Sequence, residues 1–138
     1  MAIRVLLADD HRFILDGLCA MLAGEEGIDI VGTAEDGRTA VRLAGELKPH
    51  VVVIDLSMPG LDGIEATRQI KTLGSLTQVV VLTGLADART ASRALEAGAL
   101  GYVAKDAAMD ELPQAIRAVA DKKVFLSPRV ANSVLGGY

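Results

Sequence analysis

The chain of 138 residues has no tryptophan, few aromatic side chains and a single cysteine. Aromatic residues make up only 3% of it, although hydrophobic residues make up 51%. The core must therefore be built from Val, Leu, Ile and Ala, which is typical of parallel strands covered by helices on both faces. Because one thiol, Cys19, cannot form an internal disulfide, we predict a reducing compartment and a cytoplasmic location.

Strong positive charge is also missing from the sequence. The net charge is −4, and no cluster of basic residues is longer than Lys122-Lys123. Direct binding to nucleic acid is disfavoured, because that affinity depends on neutralising many phosphates. The first ten residues, MAIRVLLADD, place only about five apolar residues before two aspartates, too few for a signal-peptide core or a membrane span. We therefore expect no association with a membrane.

Five short apolar runs alternate with segments of helical periodicity. The runs are Val5–Ala8, Ile28–Ala34, Val51–Ile54, Val79–Leu82 and Ala99–Ala104. Repeated strand–helix units of this kind predict an α/β fold with right-handed crossovers. We expect a flavodoxin-like, doubly wound, five-stranded parallel sheet in the order 2-1-3-4-5, with helices on both faces. Pro113 is expected in the first turn of the fifth helix, where proline is tolerated.

Polar residues stand at the ends of four of these runs. Asp9 and Asp10 end the first run, Asp55 the third, Thr83 the fourth and Lys105 the fifth. Parallel strands share one carboxyl-terminal edge, and ligands bind there where the strand order reverses. The sequence therefore predicts a compact acidic pocket with a hydroxyl group and an ammonium group beside it.

The charges in this pocket indicate its chemistry. Three neighbouring carboxylates repel one another at neutral pH unless a cation neutralises them, and Mg²⁺ prefers such oxygen ligands. A carboxylate can also attack phosphorus to form an aspartyl phosphate, whose oxygens a lysine and a hydroxyl would bind. Asp55 is the candidate nucleophile because the predicted strand order places it centrally.

Several motifs together resemble the CheY-like response-regulator receiver domain of bacterial two-component signalling. They are Ala8-Asp9-Asp10, the stretch Asp55–Gly63, Thr83 and the stretch Gly101–Asp106, and the resemblance runs from residue 3 to about 120. The segments Asp9–His11 and Phe125–Pro128 are most similar to the NarL/LuxR-type subfamily, whose members usually carry a C-terminal helix-turn-helix domain. The resemblance implies a phosphorylation-activated switch.

The resemblance also implies roles for individual residues in the pocket. Asp55 would accept a phosphoryl group from a phosphohistidine on a sensor histidine kinase. Asp10 would ligate Mg²⁺ with Asp55, Asp9 would act through water, and the backbone carbonyl of Ser57 would complete the metal site. Lys105 would pair with the phosphate. Chemistry would be limited to self-phosphorylation and autodephosphorylation, so no enzyme acting on an external substrate is expected.

A second group of residues would bind the phosphate or change conformation in response to it. Thr83 would move to hydrogen-bond it, the backbone amide of Gly84 would bind it, and Tyr102 would rotate inward in response. Gly84 stands where the family most often has alanine, which predicts a more mobile loop. The surface that changes would be the face formed by helix 4, strand 5 and helix 5. That face would serve phosphorylation-dependent homodimerisation or release of an output domain.

The final residues differ from the alternating pattern before them. We assign 1–121 to the receiver domain and 122–138 to a C-terminal extension or linker helix, with Ser127 as N-cap and Pro128 at the first helical position. No helix-turn-helix pattern follows Leu135. Contact with DNA, and hence transcriptional output, would need an output domain outside this sequence.

Other functions fit parts of the pattern. A stand-alone receiver or a phosphorelay intermediate would use the same pocket, and a pseudo-receiver would only dimerise. A haloacid-dehalogenase-like phosphotransferase would need an acid two residues after the nucleophile, where this chain has Ser57. A flavin or nucleotide binder lacks its glycine-rich motif here. We interpret His11 as a helix-start residue rather than a metal ligand, and Cys19 as a small core residue.

Overall fold

The computed structural model describes residues 2–74, 76–84, 87–128 and 131. The strands are β1 (Ile3–Ala8), β2 (Ile28–Ala34), β3 (Val51–Asp55), β4 (Gln78–Thr83), β5 (Gly101–Ala104) and β6 (Phe125–Leu126). The helices are α1 (Arg12–Ala23), α2 (Gly37–Leu47), α3 (Gly63–Leu73), α4 (Ala88–Glu96) and α5 (Ala108–Ala120), with a 3-10 turn at Lys105–Ala107 before α5. Within these ranges, no helix is both long enough and apolar enough to cross a membrane.

All six strands pair in parallel in one sheet of order β2-β1-β3-β4-β5-β6. The predicted α/β class and the order 2-1-3-4-5 are confirmed, but the expected count of five strands is one too low. The sixth strand, β6, lies beyond β5, with Phe125 paired to Gly101 and Leu126 paired to Tyr102. A strand of two residues is too short to produce a periodic pattern in the sequence.

The central strands are buried on both faces, which explains their continuous apolar sequences. Every residue of β3 and β4 is buried. On one face, α1 and α5 pack through Leu18, Leu112 and Ile116 against the sheet. On the other face, α2, α3 and α4 pack through small side chains such as Ala40 and Ala91. This two-sided cover fixes the strand ends relative to one another.

Three helices begin at aspartates that cap them. The side chains of Asp36, Asp62 and Asp87 accept hydrogen bonds from the amides three residues later, at 2.8, 2.9 and 2.8 Å. Hydrogen bonds from the backbone amides of Thr39 and Thr90 are the main cause that lowers the pKa of Asp36 and of Asp87. Each cap satisfies an amide that the first helical turn leaves without an intrahelical partner.

The position of Pro113 differs from the sequence prediction. Helix α5 begins at Ala108, directly after the 3-10 turn, so Pro113 lies in the helix interior instead of its first turn. The apolar periodicity of this helix starts only at Leu112, so the sequence gives no signal for its first turn, which begins at Ala108. Because proline has no N–H, it cannot donate the helical hydrogen bond to the carbonyl of Met109.

The described part of the C-terminal extension packs against the receiver. Ser127 is buried, its amide donates to the carbonyl of Tyr102 at 2.8 Å, and its hydroxyl donates to Glu111. Pro128 is helical, and the amide of Ala131 donates to the carbonyl of Ser127 at 2.9 Å. These contacts suit the predicted N-cap at Ser127, but most of the predicted linker helix lies outside the described residues and stays a prediction.

Candidate functional site

The polar residues singled out from the sequence lie together at the carboxyl-terminal edge of the sheet. Asp9 follows β1, Asp55 ends β3, Thr83 ends β4 and Lys105 follows β5. The parallel register brings these strand ends level with one another. The strand order reverses between β1 and β3, so the acidic residues lie at the point where open α/β sheets bind ligands.

Asp55 is at the centre of the site and is fully buried. The ammonium group of Lys105 donates to its Oδ2 at 2.9 Å, and the backbone amide of Ser57 donates to its Oδ1 at 3.2 Å. Both carboxylate oxygens therefore have a donor. A buried carboxylate needs such a partner, since an unpaired one would carry a large desolvation penalty.

Asp9 and Asp10 each have one carboxylate oxygen that lacks a hydrogen-bond partner among the described residues. Asp9 is 1% exposed, its Oδ1 accepts the amide of His11 at 2.8 Å, and its Oδ2 lies 3.4 Å from the ammonium nitrogen of Lys105. Asp9 Oδ2 and Asp10 Oδ1 are buried atoms without a hydrogen-bond partner in the described part of the chain. Buried, unsatisfied carboxylate oxygens are stabilised by a bound cation.

The acidic group fits a divalent metal ion. One ligand atom from each of Asp9, Asp10, His11 and Asp55 can be chosen so that all lie within 4.8 Å of one another. The structure thus brings together the three carboxylates predicted to hold Mg²⁺, and oxygen ligands are those that this ion prefers. The amide contact to Asp55 keeps the backbone of Ser57 beside the group, and its carbonyl as a ligand stays a prediction.

Lys105 is held in its charged form by the acids around it. Burial lowers the pKa of this lysine, but the hydrogen bond and charge of Asp55, together with Asp9, outweigh burial and raise the pKa above its ordinary value of 10.5. A lysine held as a cation can neutralise a carboxylate or a phosphoryl group in the same place. The structure places the ammonium nitrogen of Lys105 2.9 Å from Asp55, at the strand-end edge that the sequence predicts, and its pairing with phosphate stays a prediction.

Close backbone packing holds the loop after Asp55. A Cβ atom added at Gly63 would lie 2.6 Å from the carbonyl oxygen of Asp55 and 2.7 Å from the Cα of Leu56. Only glycine permits this approach between the start of α3 and the end of β3. Gly60 has a φ of 76°, which turns the loop, and Asp62 then caps α3. The loop sequence therefore fixes the backbone that carries the carboxylate.

Thr83 and Tyr102 lie on adjacent strands beside the acidic group. Tyr102 is fully buried, so its side chain is directed inward. Burial is the main cause that raises the pKa of Tyr102 above 10.0, while hydrogen bonds with the side chains of Thr83 and Thr90 act in the opposite direction. The pair expected to act as a switch is thus in direct contact. The ring is already inward in this structure, which differs from the expectation that it rotates inward only in response to phosphate. Its movement together with Thr83 stays a prediction.

Gly84 follows Thr83 directly and is exposed at the same edge. A Cβ atom at this position would meet no atom within 4 Å. An alanine, which the family most often has here, would therefore fit. Residues 85 and 86 lie outside the described ranges, so the expected mobility of this loop and the binding of phosphate by the Gly84 amide stay predictions.

His11 is the residue at this site that the sequence interpretation discounted. It is the N-cap residue of α1, as expected for a helix-start residue. Its Nδ1 atom nevertheless lies 3.2 Å from Asp9 Oδ1, 3.2 Å from Asp10 Oδ1 and 3.9 Å from Asp55 Oδ2. The one signal in the sequence is that His11 directly follows the two acids.

Comparison with known proteins agrees with this geometry. Residues 5–117 match the family described as the response regulator receiver domain. The chain belongs to this family. Receiver domains are signalling modules of two-component systems and not conventional enzymes, and the acidic edge of this sheet is consistent with phosphorylation-activated signalling. Membership decides against the haloacid-dehalogenase-like alternative.

Relatives of known function are response regulators. The receiver is 41% identical over 132 residues to response regulator GacA of Pseudomonas aeruginosa, covering 96% of this chain and 62% of GacA. It is 44% identical over 133 residues to the transcriptional regulatory protein LiaR of Bacillus subtilis, covering 96% of this chain and 63% of LiaR. The chain therefore spans less than two thirds of the curated relatives it matches.

Solved structures share the whole architecture. A two-component response regulator of the LuxR family from Aurantimonas sp. SI85-9A1 superposes with a TM-score of 0.95 at 35% identity, covering 99% of this chain and 98% of the other. The isolated receiver domain of RcsB from Salmonella enterica serovar Typhimurium, solved with the phosphomimetic BeF3−, gives a TM-score of 0.87 at 31% identity, covering 97% and 99%. These similarities confirm the resemblance to NarL/LuxR-type receivers.

Proposed function

We propose that this receiver accepts a phosphoryl group on Asp55 from a phosphohistidine of a sensor histidine kinase. The observation that carries the proposal is the surroundings of Asp55. Its carboxylate is buried, contacts the Lys105 ammonium at 2.9 Å, and has Asp9 and Asp10 beside it with unsatisfied oxygens. This arrangement concentrates a nucleophile, a fixed cation and a set of metal ligands within one strand-end pocket.

In the proposed reaction, a carboxylate oxygen of Asp55 attacks phosphorus. The O–P bond forms as the N–P bond of the phosphohistidine breaks, and the imidazole leaves with the bonding electron pair. Lys105, already paired with the carboxylate, binds a phosphoryl oxygen of the product. Because this contact forms with the transferred group, it stabilises the charge that develops during transfer.

The proposed cofactor is Mg²⁺, bound by Asp10 and Asp55, by Asp9 through water and by the backbone carbonyl of Ser57. The ion would supply positive charge at the phosphoryl oxygens. The unsatisfied oxygens of Asp9 and Asp10 support this assignment, because they are the atoms that a hard cation would bind. The hydroxyl of Ser57 offers no acid for turnover of other substrates, so chemistry is limited to self-phosphorylation and autodephosphorylation.

Thr83 and Tyr102 would transmit the presence of the phosphate from the site to the protein surface. The Thr83 hydroxyl and the Gly84 amide would bind the phosphoryl oxygens, and the buried ring of Tyr102 would follow Thr83. Their existing contact supports this coupling. The face formed by α4, β5 and α5 would then change and support a phosphorylation-dependent homodimer.

We further propose that output is transcriptional and passes through residues 122–138 to a DNA-binding domain. LiaR is a transcriptional regulatory protein, and RcsB has been solved bound to DNA. The chain itself has a net charge of −4, which makes it a poor direct DNA ligand. The site of action would be the cytoplasm, where the kinase carries its phosphohistidine.

Phosphoryl uptake can be measured by intact mass after incubation with acetyl phosphate and Mg²⁺. We expect one added phosphoryl group in the wild type and in Asp29→Asn, a matched control at an exposed position on β2. The Asp55→Asn variant should gain none. Equal uptake by Asp55→Asn and the wild type would overturn the assignment of the phosphoacceptor.

A further inference from the structure

The side chain of His11 is 56% exposed, but its Nδ1 atom faces the acidic group instead of pointing away from it. Its Nδ1 atom is 3.2 Å from an oxygen of Asp9, 3.2 Å from an oxygen of Asp10 and 3.9 Å from an oxygen of Asp55. The ammonium nitrogen of Lys105 lies 3.3 Å from the same Nδ1 atom. One ring nitrogen thus has four charged neighbours, three of them acceptors and one a donor.

No single form of the ring satisfies these neighbours. With hydrogen on Nδ1, the ring can donate to one carboxylate, but the N–H then faces the Lys105 ammonium, which has no acceptor. With a lone pair on Nδ1, the ring accepts a hydrogen bond from Lys105. The same lone pair then faces the carboxylate oxygens of Asp9 and Asp10, and an ionised carboxylate has no hydrogen to donate to it. A metal cation bound by the nitrogen and the carboxylates would make the contacts between these groups favourable.

The distances also suit ligands of one ion. Two ligand atoms each about 2.1 Å from an octahedral ion are about 3.0 Å apart when adjacent and about 4.2 Å apart when opposite. The 3.2 Å separation from Nδ1 to Asp10 Oδ1 corresponds to adjacent positions, and the 3.9 Å separation from Nδ1 to Asp55 Oδ2 approaches an opposite one. The nitrogen is therefore placed as a third side-chain ligand beside Asp10 and Asp55, with Asp9 next to them as the acid that acts through water.

A nitrogen ligand changes which metal the site prefers. Carboxylate, carbonyl and water ligands suit Mg²⁺ and Mn²⁺, whereas imidazole favours later divalent metals such as Co²⁺, Ni²⁺ and Zn²⁺. We infer that His11 supplies a nitrogen ligand to the metal of this receiver, so that the site also accepts later divalent metals such as Co²⁺, which oxygen ligands alone would bind more weakly. This inference rests on the proposed function of the same site, and it adds the identity of one ligand.

The bond can be detected with Mn²⁺ as a probe. Pulsed electron paramagnetic resonance of the Mn²⁺-loaded protein reports nitrogen nuclei bound to the ion. The chain has two histidines, and His50 accepts the amide of Arg4 at 2.9 Å through its own Nδ1, beside the start of β3. His50→Gln is therefore the matched control. Serine is a preferred N-cap residue, so His11→Ser keeps the start of α1 and removes the ring.

We expect a nitrogen coupling in the wild type and in His50→Gln, and none in His11→Ser. Calorimetric titration should show Co²⁺ affinity reduced by about tenfold or more in His11→Ser, with a smaller change for Mg²⁺. Absence of the coupling in Mn²⁺-loaded wild type would overturn the inference. Persistence of the coupling in His11→Ser would also overturn it, and so would an equal loss of affinity for Co²⁺ and Mg²⁺.

Failure of this inference is distinguishable from failure of the proposed function. If His11→Ser takes up phosphate from acetyl phosphate with Mg²⁺ and keeps its metal preference, only the role of His11 is contradicted. If the wild type binds none of these ions and takes up no phosphate at Asp55, both proposals are contradicted. Circular dichroism of each variant confirms that the fold is intact.

Discussion

The ammonium nitrogen of Lys105 lies 2.9 Å from Oδ2 of Asp55, although 50 positions separate the two residues in the sequence. The contact exists because β3 and β5 end at the same edge of the sheet. Asp55 is fully buried, and Lys105 also lies 3.4 Å from Asp9, so one cation compensates two acids. Loss of this cation should therefore affect both stability and metal binding.

Replacement of Lys105 by methionine should destabilise the metal-free protein. Removing one partner of a buried ion pair leaves the other charge uncompensated, so we expect a loss of about 3 kcal/mol in the free energy of unfolding. Added Mg²⁺ should restore part of it, because the ion neutralises the same carboxylates. Urea denaturation with and without Mg²⁺ measures both effects. Lys123→Met, at an exposed ion pair, should change stability by less than about 0.5 kcal/mol.

The contribution of Lys105 should also depend on pH in one direction. Its pKa in the folded protein is raised above 10.5. The folded state therefore holds this proton more tightly than the unfolded state does, and the stabilisation is fully present below the unfolded pKa. It is lost as the pH rises through the folded pKa. The stability difference between wild type and Lys105→Met should be constant near neutral pH and shrink above 10.5; growth of the difference there would contradict the assigned cation.

Two glycines near the site should respond in opposite ways to alanine. At Gly63, an added Cβ would lie 2.6 Å from the Asp55 carbonyl oxygen, so we expect a loss of about 1–3 kcal/mol and reduced phosphoryl uptake. At Gly84, a Cβ meets no atom within 4 Å and φ is not positive. Gly84→Ala should gain about 0.4–1 kcal/mol and still bind phosphate. Thermal denaturation and mass measurement check both variants, and a stable, fully active Gly63→Ala would refute the packing explanation.

Ser127 should be required for the extension to stay on the sheet. Its hydroxyl donates to Glu111 and its amide donates to Tyr102, and the residue is buried. Ser127→Ala would remove the donor to Glu111 and should cost about 1–3 kcal/mol. Hydrogen exchange of the Phe125 and Ser127 amides should become faster than in Ser92→Ala, an exposed control on α4. Unchanged exchange would show that the hydroxyl does not hold β6.

Most of the fold and of the acidic site could be predicted, because both follow from where the apolar strands end in the sequence. Buried parallel strands are continuous apolar runs, and the polar residues that end them must meet at one edge. That reasoning placed Asp9, Asp55 and Lys105 correctly. It carries no information on side-chain direction, so for His11 the sequence predicts only a helix start. The structure shows that its ring meets Lys105, which is 94 positions away in the sequence. The strand β6 depends on pairing with β5 and left no periodic signal.

The central claim is that Asp55 is the phosphoacceptor, and the most direct measurement identifies the modified residue chemically. Borohydride reduces an aspartyl phosphate to homoserine, which peptide mass spectrometry then locates. After incubation with acetyl phosphate and Mg²⁺, we predict homoserine at position 55 and at no other aspartate. Uptake of phosphate with homoserine at another position, such as Asp9 or Asp10, would contradict the account.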